Sequence, residues 1–163
     1  MIRILVLAAA MLPTMALGAE CTLANAHYSN ETMGLSLRFR PLPDAVMGNQ
    51  TLACDLVLDK AKVTIAGSVY RPNGFGAPLW FIEGPCDSGS AETCGFVEGE
   101  PTGVYANYDG EVRWIRDEEP EVPAPRQIIL PSLAVSLWYS SYRNTAFVDD
   151  VDAGDVFTLT GCE

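Results

Sequence analysis

Reactive side chains are few in this chain, and their spacing is loose. His27 is the only histidine. It has no matching nucleophile, because no Gly-x-Ser-x-Gly elbow is present. One histidine and no Cys-x-x-Cys pair give zinc no ligand set. Asp149, Asp150, Asp152 and Asp155 cluster around Gly154, and oxygen ligands at that density suit calcium. Gly154 takes the third ligand place of the calcium-loop pattern, however, so a polar turn before the last strand is the simpler reading. Paired carboxylates for glycoside hydrolysis need a separation of about 5–5.5 or 6.5–9.5 Å, which abundance alone does not supply. No glycine loop cradles a phosphate. The expectation is no catalytic residue, no metal and no cofactor.

Cysteine is the best-defined chemistry. Five cysteines in an exported chain read as a disulfide framework with one thiol left over. Two pairing schemes are open. One staples Cys21 to Cys86 and Cys94 to Cys162. The other closes the short loop between Cys86 and Cys94 and ties the termini through Cys21 and Cys162. The loop from Cys86 to Cys94 is polar and turn-rich, which favours the second scheme. Both leave Cys54 free, in phase with Leu52, Leu56 and Leu58, as a small buried hydrophobe.

Export is read from the first 19 residues. Arg3 supplies a basic start, Ile4 to Leu12 is apolar, Pro13 and Thr14 break the run, and Ala16-Leu17-Gly18-Ala19 suits a signal peptidase after either Gly18 or Ala19. The apolar run is shorter than the roughly 20 residues of a membrane span, and Glu20 before Cys21 disfavours a lipid anchor. Residues 20–163 then form one domain, long enough to bury a core. Without Arg3 it carries 9 basic residues against 21 acidic ones. That balance repels nucleic acid and anionic lipid and suits a basic partner. Asn30-Glu31-Thr32 and Asn49-Gln50-Thr51 match the glycosylation pattern, but the short alanine-rich leader reads as bacterial.

The elements that carry these groups have a period of two. Leu35, Leu37 and Phe39 alternate with Ser36, Arg38 and Arg40. Val63, Ile65, Gly67 and Val69 form a second run. Leu133, Val135, Leu137 and Tyr139 form a third. Further strands are expected near 78–83, 102–106, 111–116, 126–130 and 155–160. Pro72-Asn73-Gly74-Phe75-Gly76 and Tyr108-Asp109-Gly110 mark the turns between strands. No segment shows a helical stripe, although a short helix fits residues 53–63. The fold expected is all-β: a disulfide-stapled sandwich or barrel of about eight to ten short antiparallel strands. Residues 21–86 and 94–162 share an order of short motifs at offsets of about 72 to 80 residues, consistent with two similar halves.

Two features remain for recognition. Asp117, Glu118, Glu119 and Glu121 lie in a proline-rich loop suited to a basic cleft or to plain solvation. Asp87 to Glu92 is a second acidic loop. Tyr105, Asn107 and Tyr108 flank a turn, and with one of Trp80, Trp114 or Trp138 they would form an aromatic platform. Tyr70 and Tyr142, each followed by arginine, fall on the polar phase of their segments. The sequence therefore suggests a non-catalytic exported protein that binds a basic protein partner in the cell envelope or outside the cell, as an inhibitor or an assembly component. A carbohydrate-binding module is the alternative, and an enzyme of unspecified type the third class.

Overall fold

A computed structural model describes residues 21–43, 46, 48–60, 62–85, 93–95, 102–119, 121–140 and 154–163. Residues 1–20, where a leader is expected, the loop Asp87–Glu92, Cys86, Asp149, Asp150, Asp152 and Tyr142 lie outside the described residues, as does the side chain of Cys94.

The protein is all-β: the described residues form ten antiparallel strands in one curled sheet and one short helix. A 3-10 turn at Leu23–Asn25 leads into β1 (Ala26–Asn30). A meander follows: β2 (Leu35–Arg40), β3 (Gln50–Leu58), β4 (Val63–Tyr70), β5 (Leu79–Pro85) and β6 (Thr93–Gly95). Then come β7 (Tyr105–Tyr108), β8 (Glu111–Trp114), β9 (Gln127–Ile129), helix α1 (Leu133–Tyr139) and β10 (Val156–Cys162). The spatial order is β6-β5-β4-β3-β2-β1-β10-β9-β7-β8.

The alternation read from the sequence places the core. Leu35, Leu37 and Phe39 of β2 are buried, while Arg38 and Arg40 are exposed. Opposite them, Leu58, Leu56 and Cys54 of β3 point inward. Gly67 of β4 pairs with Cys54, and a Cβ there would lie 2.8 Å from the thiol sulfur, so the sulfur occupies the space a side chain would need. Tyr28 and Phe39 meet edge-to-face at 5.9 Å inside the curl.

Two seams hold the curl. At the first, the last strand lies beside the first: β10 pairs with β1, and Ala26 is opposite Cys162. Cys21 and Cys162 are disulfide-bonded there, with Cα atoms 5.6 Å apart. The pairing of Cys21 with Cys86 and of Cys94 with Cys162 is thereby overturned, and Cys54 is the buried free cysteine among the described residues. At the second seam, Leu79 of β5 bridges Gly103. Trp80 N donates to Thr102 O (3.1 Å) and Val104 N donates to Pro78 O (2.9 Å). These bonds tie β5 to the chain entering β7.

The helix corrects two expectations. Residues 133–139 read as a strand but form α1, and residues 53–63 form no helix because β3 runs through Leu58. The apparent alternation in 133–139 misleads because Leu133, Ala134 and Leu137 make one buried helical face, whereas Val135 (49% exposed) and Tyr139 (75%) face away from it. Trp138 is accordingly on a helix, half-buried against the core. A distant carboxylate starts the helix: Asp155 accepts hydrogen bonds from Ser132 N (2.6 Å) and Ala134 N (2.9 Å). That is an N-cap supplied from 23 residues away, invisible to any local pattern. Ser132 meanwhile adopts φ +67°.

Candidate functional site

The β7–β8 hairpin carries Tyr105, Asn107, Tyr108 and Trp114, and the acidic loop follows it directly. Its turn is the tight two-residue kind expected at Tyr108-Asp109-Gly110, with φ +55° at Asp109 and +98° at Gly110. Asn107 Oδ1 accepts from Gly110 N (2.7 Å), which pins the turn, and Asn107 Nδ2 donates to Gln127 Oε1 (3.0 Å) on β9.

Register decides what the hairpin displays. Ala106, Ile128 and Phe157 are fully buried, so their neighbours on β7, β9 and β10 face outward. Trp114 is opposite Tyr105, Tyr105 is opposite Ile129, and Ile129 is opposite Val156. These four residues form a continuous apolar row across four strands. Tyr105 and Trp114 stack with ring centroids 4.3 Å apart and an interplanar angle of 23°. The six-membered ring of Trp114 packs on Gly103, where no Cβ would fit. Trp114 remains 42% exposed even so, and Val112 on the same face is 56% exposed. The next row is mostly polar: Val112, Asn107, Gln127 and Thr158.

Tyr108 does not join this platform. Its hydroxyl accepts a hydrogen bond from Arg116 N (2.9 Å), and the Arg113 guanidinium sits 4.6 Å above its ring centroid. Burial is the main cause that pushes the hydroxyl's pKa up. Trp80 is in the core, and its indole N–H meets no acceptor among the described residues.

The acidic loop divides into one inward and three outward carboxylates. Asp117 is 1% exposed. It accepts from Arg71 Nη2 (2.6 Å) and Nε (2.9 Å), while Arg71 Nη1 donates to Gly76 O (2.8 Å). The hydrogen bond to Asp117 pushes the guanidinium's pKa up and keeps it charged. Asp117 therefore locks the loop after β8 onto the β4–β5 turn and presents no charge to a partner. Glu118, Glu119 and Glu121 face solvent. Glu119 pairs with Arg116 at 2.6 Å, and Glu118 lies 3.6 Å from Arg71.

His27 lies on the outer face of β1, 3.5 Å from a Glu163 carboxylate oxygen. Among the described residues no three His, Cys, Asp or Glu side chains gather into a metal site. No helix among them is long and apolar enough to cross a membrane. Comparison with family models, with curated proteins and with solved structures finds no match.

Ile129, Val156 and Gln127 were not singled out in the sequence, because a cross-strand row exists only once register is set. Asp117 left a signal: Ile115 and Asp117 continue the inward phase, and Arg116 and Glu118 the outward one.

Proposed function

We propose that this protein is an exported binding protein that holds a basic protein partner in the cell envelope or outside the cell, either restraining it or joining it in an assembly. The supporting observation is the continuity of the surface. The apolar row ends at exposed Trp114, and the chain runs from there into the outward carboxylates Glu118, Glu119 and Glu121. An aromatic anchor beside a charged rim is the composition of a protein interface. The carboxylates would speed encounter with a cationic surface. The Cys21–Cys162 disulfide fits an oxidising compartment.

The test is affinity capture from the envelope and secreted fractions of the protein's own host, with wild type, W114A and E118Q/E119Q/E121Q run side by side. A basic partner should be retained by wild type at moderate salt, released at high salt and lost by both variants. Equal retention by all three proteins would overturn the proposal. The Tyr105–Trp114 stack beside the Asn107–Gln127 amide pair favours one second reading, a sugar-stacking platform. Glycan-array binding that W114A abolishes, with no protein captured, would establish that reading instead.

A further inference from the structure

Among the described residues, strand β8 ends the sheet order, and all four of its residues are exposed. Such an edge offers unpaired backbone donors and acceptors. Hydrogen-bond phase shows which residues offer them. Arg126 N donates to Asn107 O (3.0 Å), so the Asn107 carbonyl faces β9 and not β8. Asn107 is opposite Val112, which makes that pair the wide, non-bonded kind. Ile115 N donates to Val104 O (3.2 Å), three residues on from Val112 and in the opposite phase. Glu111 and Arg113 therefore turn their backbone groups toward β7, and Val112 and Trp114 turn theirs outward.

The side chains of this edge are complementary to themselves. We infer that β8 is an isologous docking edge, on which a second copy of this chain pairs antiparallel about a twofold axis at Val112. In that register Val112 meets Val112 of the second copy, and the two exchange N–H···O=C bonds in both directions. Glu111 falls opposite Arg113 of the second copy, and Arg113 opposite its Glu111. Trp114 falls opposite Gly110, which has no side chain to obstruct the indole. Any other strand docking here would have to supply a cation, an apolar residue, an anion and a small residue in that order. The chain's own Gly110-Glu111-Val112-Arg113 supplies them reversed, as antiparallel pairing requires. Edges that avoid self-pairing carry like charges, which repel across a twofold axis; Glu111 and Arg113 do the opposite. The apolar rows of both copies then lie on one continuous outer face. This pairing does not depend on what that face binds.

An edge of four residues supports a weak dimer, with a dissociation constant on the order of 10–100 µM. Sedimentation equilibrium of the disulfide-bonded protein from about 10 µM to 1 mM, at 0.15 M salt, reads it directly; at that ionic strength the general repulsion between acidic chains is screened beyond about 8 Å. E111R and R113E, each confirmed as folded by circular dichroism, place like charges at both cross-strand pairs and should each weaken the dimer about tenfold. The double variant E111R/R113E restores the complementarity and should recover it. An equimolar mixture of E111R and R113E should form a heterodimer tighter than either single variant's homodimer. A monomer up to 1 mM, a dimer indifferent to the single charge reversals, or a double variant no better than the singles would each overturn the inference.

Discussion

Removing the Cys21–Cys162 bond should cost this fold about 5 kcal/mol. The bond joins residues 141 apart in sequence, nearly the whole described chain. Cross-linking so long a loop removes about 17 cal/mol/K of entropy from the unfolded ensemble, or about 5 kcal/mol at 25 °C. The folded state loses little when the sulfurs go. The Ala26–Cys162 pairing of β1 with β10 is backbone-made, and Glu163 N still donates to Asn25 O. The effect should therefore lie in the unfolded state. Urea titration of the oxidised protein and of C21A/C162A, followed by tryptophan fluorescence, separates the two contributions. The midpoint should fall, and the m-value should rise as the unfolded chain expands. A loss of that size is a large part of the ~5–15 kcal/mol typical of a domain. The titration is therefore repeated in sucrose, which favours the folded state of both proteins. A loss below about 1 kcal/mol, or an unchanged m-value, would refute the reasoning.

Asp117→Ala removes the acceptor for Arg71, which is partly exposed and can turn to water. The cost should be about 2 kcal/mol, below the 3–5 of a fully buried pair. A double-mutant cycle with R71M should show coupling of at least about 1 kcal/mol, and full additivity would contradict the ion pair's role. Gly103→Ala places a Cβ against the Trp114 ring; the ring should be expelled, with red-shifted tryptophan emission that G103A/W114F lacks, and unchanged emission would rule the packing out. The Cys54 thiol is pushed up to about 12, mainly by burial and then by Asp55. Between about pH 9 and 12 the unfolded state therefore binds fewer protons than the folded one, and stability falls as pH rises. Urea midpoints across that range should fall less steeply for C54A; the same slope in both proteins would exclude Cys54 as a source.

Half of this architecture was legible because one face of each meander strand is buried, and burial writes itself as alternation. Leu35, Leu37 and Phe39 announced β2 for that reason, and Asp109-Gly110 announced the hairpin because only a few residues accept two consecutive positive φ values. Helix α1 was not legible. Seven residues give too few turns to separate a period of two from 3.6, and the carboxylate that starts it lies 23 residues downstream. Of the candidate site, Tyr105 was found and its setting was not. The row through Trp114, Ile129 and Val156 exists only because β10 inserts between β1 and β9, a non-local pairing no window contains. Asp117 shares the inward phase of Ile115 and Glu118 does not, but that phase does not name the partner: Asp117 is buried on Arg71, whose place in the chain is 46 residues away, while Glu118 is in water.

The placement of that row on the second seam has a consequence for binding. Residues 71–80 and 102–117 are joined there by the Leu79–Gly103 bridge, by the backbone bonds of Trp80 and Val104, and by Arg71 gripping both Asp117 and Gly76 O. Trp114 rests on Gly103 in the middle of these ties, and the outward glutamates begin one residue after Asp117. A surface held this way has little freedom left to lose when a partner arrives, and the ordering of side chains and loops is a main cost of association. Asp117, which no partner can touch, should therefore matter to binding. At a temperature where D117A remains folded, its affinity for the captured partner should fall mainly through faster dissociation, as the glutamates must then be ordered by the partner itself. Affinity in D117A equal to wild type would mean that the glutamates bind as independent flexible charges and that the seam serves stability alone.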